Sequence, residues 1–191
     1  MASDRIIVGS SETGLVRFGF LHVFAAGKSK KFPANPPRFT VIGIIPKNHP
    51  QVASIKAAAK TAAETTWPVA KSRPKLNNPL RDGDMEKPDN PAYAGMYFFT
   101  ANAPEDRPPG VVTGRVGRNG GLEPAVPKDW AAGDYGRVSL DVYGSPKHNK
   151  MCVGLYNVQF LEKGEPLSRY MDASSEFEVE SIETVDEDSP F

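Results

Sequence analysis

Asp82, Asp84 and Glu86 alternate, so an extended backbone would set three carboxylates on one side, as a magnesium-dependent nuclease requires. Asp82-Gly83 is also a strong turn signal, with Arg81 and Lys87 beside it as ready ion-pair partners, and a salt-bridged turn is the simpler reading. Gly27-Lys28-Ser29 has the end of a phosphate-binding loop, but His22 stands where that loop needs its first glycine, so the cradle is missing. His22, His49, His148 and Cys152 lack metal-ligand spacing, and no nucleophile signature is present. No catalytic residue, metal or cofactor is therefore expected.

The other chemistry within reach is stacking of aromatic rings on bases beside cations that meet phosphates, which is how proteins grip single strands. From Tyr135 to Tyr143 a period of two sends Val138, Leu140 and Val142 to one face. Tyr135, Arg137, Ser139, Asp141 and Tyr143 go to the other. That second row is a stacking platform with a phosphate hook, which nominates Tyr135, Arg137 and Tyr143 for DNA, or a solvated face with Tyr chosen for β propensity; the two stand about level, and Asp141 in the middle counts slightly against DNA. In Tyr97-Phe98-Phe99 one set of rings must be core, and Tyr97 is the candidate for contact because its hydroxyl tolerates water. Trp130, in a loop flanked by Pro and Gly, could stack on a base or anchor the loop, whereas Trp67 at a helix end reads as packing. Phe18, Phe20 and Phe24 share a face with Val16 and His22, a stripe expected in the core, which leaves Arg17 on the outer face. Lys28, Lys30 and Lys31 form a basic loop, and Arg115 and Arg118 lie in a Gly-rich stretch whose backbone can approach phosphates.

These side chains need strands to present them. Six segments rich in β-branched and aromatic residues predict strands over 15–24, 38–45, 95–101, 110–116, 135–143 and 151–161. A short strand is possible over 5–8. One helix is expected from about Pro50 to Thr66, where Pro50 suits a first helical position and Val52, Ile55, Ala59 and Ala62 recur at helical spacing. Lys56, Lys60 and Glu64 make its solvated stripe. Long polar segments over 69–90 and 103–128 read as functional or disordered loops. Five or six strands with one helix suggest a mainly β, OB-type barrel, closed or partly open, with a β-sandwich as the alternative.

The 18 prolines and 17 glycines agree with a turn-rich β fold of one domain. Cys152 is the single cysteine, so no internal disulfide can form, and with no signal peptide or membrane-spanning run a cytoplasmic location is expected, with no membrane partner.

Formal neutrality, 23 basic against 23 acidic residues, hides an asymmetry. Eight of the acids fall between Asp172 and Phe191, where there is no Lys or Arg, leaving residues 1–171 with 15 acids and a surplus of eight positive charges. Such a body suits a phosphate backbone. The body is expected to be the binding domain and 172–191 a flexible acidic tail. A short strand through Phe177 and Val179 could precede the tail proper. Asp186, Glu187, Asp188, Pro190 and Phe191 look built for capture by a partner with an apolar pocket and a basic rim. The tail could also occupy a basic groove until nucleic acid displaces it; a solubility tail is the plain alternative.

This end resembles the tail of bacterial single-stranded DNA-binding proteins, acidic residues followed by Ile-Pro-Phe, with Ser189 here in place of the Ile. The body carries Phe39 to Pro46 before the Lys/Ala helix, then Asn78-Pro79-Leu80-Arg81-Asp82-Gly83-Asp84, Tyr93-Ala94-Gly95-Met96-Tyr97-Phe98, Gly136 to Tyr143 and Val153-Gly154-Leu155-Tyr156-Asn157-Val158-Gln159. In that order these blocks resemble a family of phage single-stranded DNA-binding proteins with an OB fold, over roughly residues 15–170. The Pro-Leu-Arg-Asp-Gly-Asp block and the closing Gly-Leu-x-x-Val-Gln strand are the most specific pieces. The resemblance implies a non-enzymatic role in phage DNA replication or recombination, inside the infected host cell, and distant kinship with the replisome-recruiting binding proteins of short-tailed coliphages. It assigns no contact residues. The expected partners are single-stranded DNA and, through the tail, a replication or recombination protein such as a polymerase, helicase or nuclease; homodimerisation stays open. The competing readings are an adaptor that contacts only replication proteins, and the nuclease.

Overall fold

The computed structural model describes residues 5–28 and 33–167. Among these residues nine strands form one sheet: β1 (Ile6–Val8), β2 (Val16–Gly27), β3 (Arg38–Pro46), β4 (Arg81–Asp82), β5 (Met96–Pro104), β6 (Gly110–Val116), β7 (Leu122–Pro124), β8 (Tyr135–Ser145) and β9 (Lys150–Glu162). β2, β3, β5, β9 and β8 pair in that order, and β8 returns to β2, which closes a five-stranded ring. Every pairing in the ring is antiparallel except β5 with β9. Closure removes the open edges a flat sheet would expose. The expected OB-type barrel is the observed fold. β1 extends β8, β4 adds to β5, and the β6–β7 hairpin projects from the far half of β9.

Alternation builds the core directly. Val138, Leu140 and Val142 point inward from β8, and Phe39, Val41 and Ile45 from β3. Phe99, Ala101 and Ala103 come from β5, and Val153, Leu155, Val158 and Phe160 from β9. Helix α1 (Val52–Thr66) lays Val52, Ile55 and Ala63 against this core and packs mainly on β8, where Gly144 has the helix end at Thr66 and Trp67 against its backbone. Trp67 packs as expected. Lys56 and Lys60 stay exposed.

β2 departs from the expected stripe. Val16 and Phe18 are buried, but the register with β3 shifts between Phe18 and Phe20, leaving Gly19 as an extra residue. A bulge reverses which alternate residues face in. Val23 is buried, while Phe20 is 42% exposed and His22 is exposed. A side chain at Gly19 would meet the Tyr93 hydroxyl at 2.8 Å and Ile44 at 3.0 Å, so the bulge takes the residue that fits. Phe20 and His22 therefore lie outside, not in the core stripe.

The segment 69–90 is ordered by specific bonds. Asn77 copies a strand partner: its Nδ2 donates to the Met151 carbonyl at 3.1 Å and its Oδ1 accepts from the Met151 N–H at 2.8 Å. Asp82 caps a one-turn helix, α2 (Gly83–Glu86), by accepting from the Asp84 N–H at 3.0 Å. Beyond it Tyr93 packs edge-on to Phe98 at 5.1 Å, forming with Ile44 a small second core on the outer sheet face.

Candidate nucleic-acid interface

The outer face of β3 and β5 runs from apolar to polar. At one end Ile44 and Phe98 lie under Tyr93; at the other Ile42 is registered with Thr100, and Thr40 with Asn102. Thr40 Oγ1 donates to Asn102 Oδ1 at 2.9 Å. On β2 the bulge sets Phe20 beside Ile42 and His22 beside Thr40. The Phe20 and His22 rings stack at 4.6 Å and 11°. Gly27 lets the end of β2 close over His22, because any side chain there would lie 2.3 Å from Nδ1.

This floor lies in a cleft of about 1220 Å³ with three walls. The β2–β3 loop contributes Lys28, Asn35 and Pro36 with Arg38 at the strand start; the segment Asn77–Pro79 with Arg81 forms the second wall; Ser145, His148 and Lys150 of the β8–β9 turn form the third. Tyr143, 41% exposed, closes the floor next to Cys152, its registered partner on β9. Burial, and then the Cys152 thiol, push the Tyr143 phenol above its ordinary pKa, so it stays neutral. Lys28, Arg38, Arg81 and Lys150 line this cleft together with two histidines, and no carboxylate does so among the described residues. Rings on the floor and cations on the walls are what stacking and phosphate contact demand.

The alternating acids are engaged elsewhere. Lys47 Nζ lies 2.6 Å from Asp82 and 2.8 Å from Asp84, and Asp84 accepts from the Gly95 N–H at 2.8 Å. The Lys47 ammonium, and then the Gly95 N–H, hold the Asp84 carboxyl below its ordinary pKa. Glu86 pairs with Arg81, whose Nε donates at 2.8 Å, and its carboxyl is lowered by that partner. Arg81 in turn lies over the Phe98 ring at 4.6 Å. The block is a salt-bridged turn that steadies one wall of the cleft, and among the described residues no group of three carboxylate, His or Cys side chains could hold a metal.

Of the residues nominated from the sequence, the cleft brings together Tyr143 and Lys28. Lys30 and Lys31 lie outside the described residues. Tyr135 and Arg17 meet each other on the outer surface below the cleft, with the guanidinium 5.6 Å from the ring centroid and donating to the Glu165 carbonyl at 2.9 Å. Arg137 lies half-buried farther along β8, and Asp141 accepts from the Tyr156 hydroxyl at 3.0 Å. Tyr97 packs on the main core with Lys47 and Lys56 over its ring at 5.4 and 5.0 Å. Trp130 stacks on Phe160 at 4.6 Å with Lys163 over it. It borders, with Arg115, a separate pocket of about 630 Å³. Arg118 is exposed at the hairpin turn. Phe177, Val179 and the residues 186, 187, 188, 190 and 191 nominated for partner binding lie outside the described residues. Sequence reading missed Phe20, His22, Arg38, Arg81, His148 and Lys150; for the first two, Gly19 inside a strand pattern was the available signal of a bulge.

A closed five-stranded barrel with an open cationic cleft across its second and third strands defines an OB-fold protein with a groove where such folds take oligonucleotides. The family model described as "Enterobacter phage Enc34, ssDNA-binding protein" matches residues 9–189, and the chain belongs to that family. The single-stranded DNA-binding protein from bacteriophage Enc34 in complex with ssDNA has a similar fold, with TM-score 0.64 and 18% identity over 86% of this chain and 89% of that one. A C-terminal truncation of the Enc34 protein gives 0.62 and 18% over 85% and 87%. A further structure of the Enc34 protein gives 0.61 and 16% over 91% and 90%. No curated protein matches the sequence. The matched proteins are described as binding proteins, not enzymes.

Proposed function

We propose that this protein binds single-stranded DNA without sequence preference, coats intermediates of phage DNA replication or recombination in the host cytoplasm, and recruits partner proteins through its acidic tail. The cleft carries this reading: four Lys and Arg side chains and His148, with no carboxylate among the described residues, surround a stacked Phe20–His22 pair. Membership of a family described by its ssDNA-binding protein, and a solved member in complex with ssDNA, support the same reading. Polar side chains on the floor can hydrogen-bond any base, and ring faces stack on all of them, which favours sequence tolerance. The acidic stretch from Asp172 to Phe191 supports the recruitment half, since eight like charges ending on one ring suit capture by a basic-rimmed apolar pocket.

Fluorescence anisotropy of a labelled oligothymidine against its duplex counterpart tests the first half. Tight, salt-sensitive preference for the single strand is expected; equal or absent binding at low salt, with and without the tail, overturns it. Deleting Phe191 is expected to spare DNA binding and abolish co-purification of a replication protein. If the deletion destroys DNA binding, that division of labour is wrong.

A further inference from the structure

We propose that a bound strand leaves the cleft past Arg38 and runs onto a phosphate clamp formed by Arg5 and Arg107 around Tyr156. This rests on the single-strand reading above and specifies where the strand goes next. Arg38 lines the cleft and is registered with Pro104 on β5. One rung back, His22, Thr40, Asn102, Gly154 and Asp141 are registered in turn across β2, β3, β5, β9 and β8, so the outer surface continues from the cleft floor onto β9. Tyr156 lies two residues beyond Gly154, as Pro104 lies two beyond Asn102, and the two strands there run parallel. The β5–β9 pairing ends at the Asn102–Gly154 rung, and Arg107, three residues past Pro104, ties the end of β5 to Tyr156.

At that position Arg5 Cζ lies 4.1 Å and Arg107 Cζ 5.4 Å from the Tyr156 ring centroid. The ring is fixed from its far end, where the hydroxyl donates to Asp141 at 3.0 Å, and the turn carrying Arg107 is closed by its N–H donating to the Pro104 carbonyl at 3.1 Å. Both arginines are exposed, and neither forms an ion pair among the described residues, although Glu105 and Asp106 share the turn with Arg107. Two guanidinium groups held by cation–π attraction, with their forks unpaired, present a preorganised pair of donors to successive phosphates. Their planes also offer a surface on which a base can stack.

Length dependence separates this clamp from the cleft. Oligothymidines of about 6 and about 16 nucleotides span the range of site sizes that OB folds cover. In full-length protein carrying Arg5→Ala and Arg107→Ala, affinity for the short oligonucleotide should stay unchanged while that for the long one falls about tenfold. Its salt slope should become shallower by about 1.4, at about 0.7 for each phosphate no longer neutralised. The Lys-for-Arg pair should recover the slope. An unchanged affinity and salt slope for the long strand overturns the clamp, as does an equal loss at both lengths. Failure of the native protein to bind either length overturns the single-strand reading and the clamp with it.

Discussion

Phe20→Ala separates the groove from the core. Phe20 differs from Phe18, two residues earlier, only in lying beyond the Gly19 bulge: Phe18 is fully buried and Phe20 is 42% exposed. Full burial of a Phe side chain is worth about 1.5–3 kcal/mol, so removing the half-covered Phe20 should cost roughly 1 kcal/mol. For a domain of this size that is about 2–4 °C in Tm. Phe18→Ala should cost about 3–5 kcal/mol, through forfeited transfer energy and the cavity left beside Phe160 and Val16. The affinities should go the other way. Stacking contributes about 1–3 kcal/mol per base by alanine substitution, so Phe20→Ala should weaken oligothymidine binding about 5- to 150-fold. Thermal unfolding and fluorescence anisotropy on one preparation read both quantities. A Phe20→Ala protein that loses as much stability as Phe18→Ala while binding DNA at full strength would show that the bulge does not turn this ring outward, and the groove argument would fail.

Arg38→Ala should weaken single-strand binding and make its salt dependence shallower by about 0.7 in slope, because one phosphate goes unneutralised; Arg118→Ala, at the hairpin turn away from the cleft, should leave the slope as it is. The Asp84 and Glu86 carboxyls have folded pKa values below their ordinary ones, so their stabilisation is complete above the unfolded values of about 4 and is lost as pH falls through the depressed folded values. Melting temperature followed from pH 6 downward should therefore drop below about pH 4, and the drop should be smaller in Asp84→Asn/Glu86→Gln. A native melting curve that the double variant reproduces at every acid pH would remove these pairs from the account.

Much of this molecule is written locally. The period of two on β8 is enough to place Val138, Leu140 and Val142 inward, because a half-buried strand must alternate. The apolar spacing of α1 and the Asp82-Gly83 turn are legible for the same reason: the residues that decide them are neighbours in the chain. Charge asymmetry is legible too, since it is a property of composition along the sequence. What local pattern cannot supply is anything that depends on which distant segment lies opposite. A single extra residue at Gly19 exchanges inside for outside on β2, and its position shows only in the pairing with β3. Lys47 reaches Asp82 and Asp84 across 35 and 37 residues of sequence, which holds those two acids in the turn, as the nearby Arg81 holds Glu86. The Tyr135 to Tyr143 row is an outer face, as its alternation predicts, yet barrel closure parts its members: Tyr143 borders the cleft and Tyr135 meets Arg17. The groove exists only because the ring closes, bringing Phe20, Arg38, Asn102, Lys150 and the Asn77 wall together from the length of the chain. Sequence determined the long strands, the long helix and the balance of charge; tertiary structure decided the short strands β4 and β7 and which rings and cations share one surface, because these depend on register and closure, which no short window of residues contains.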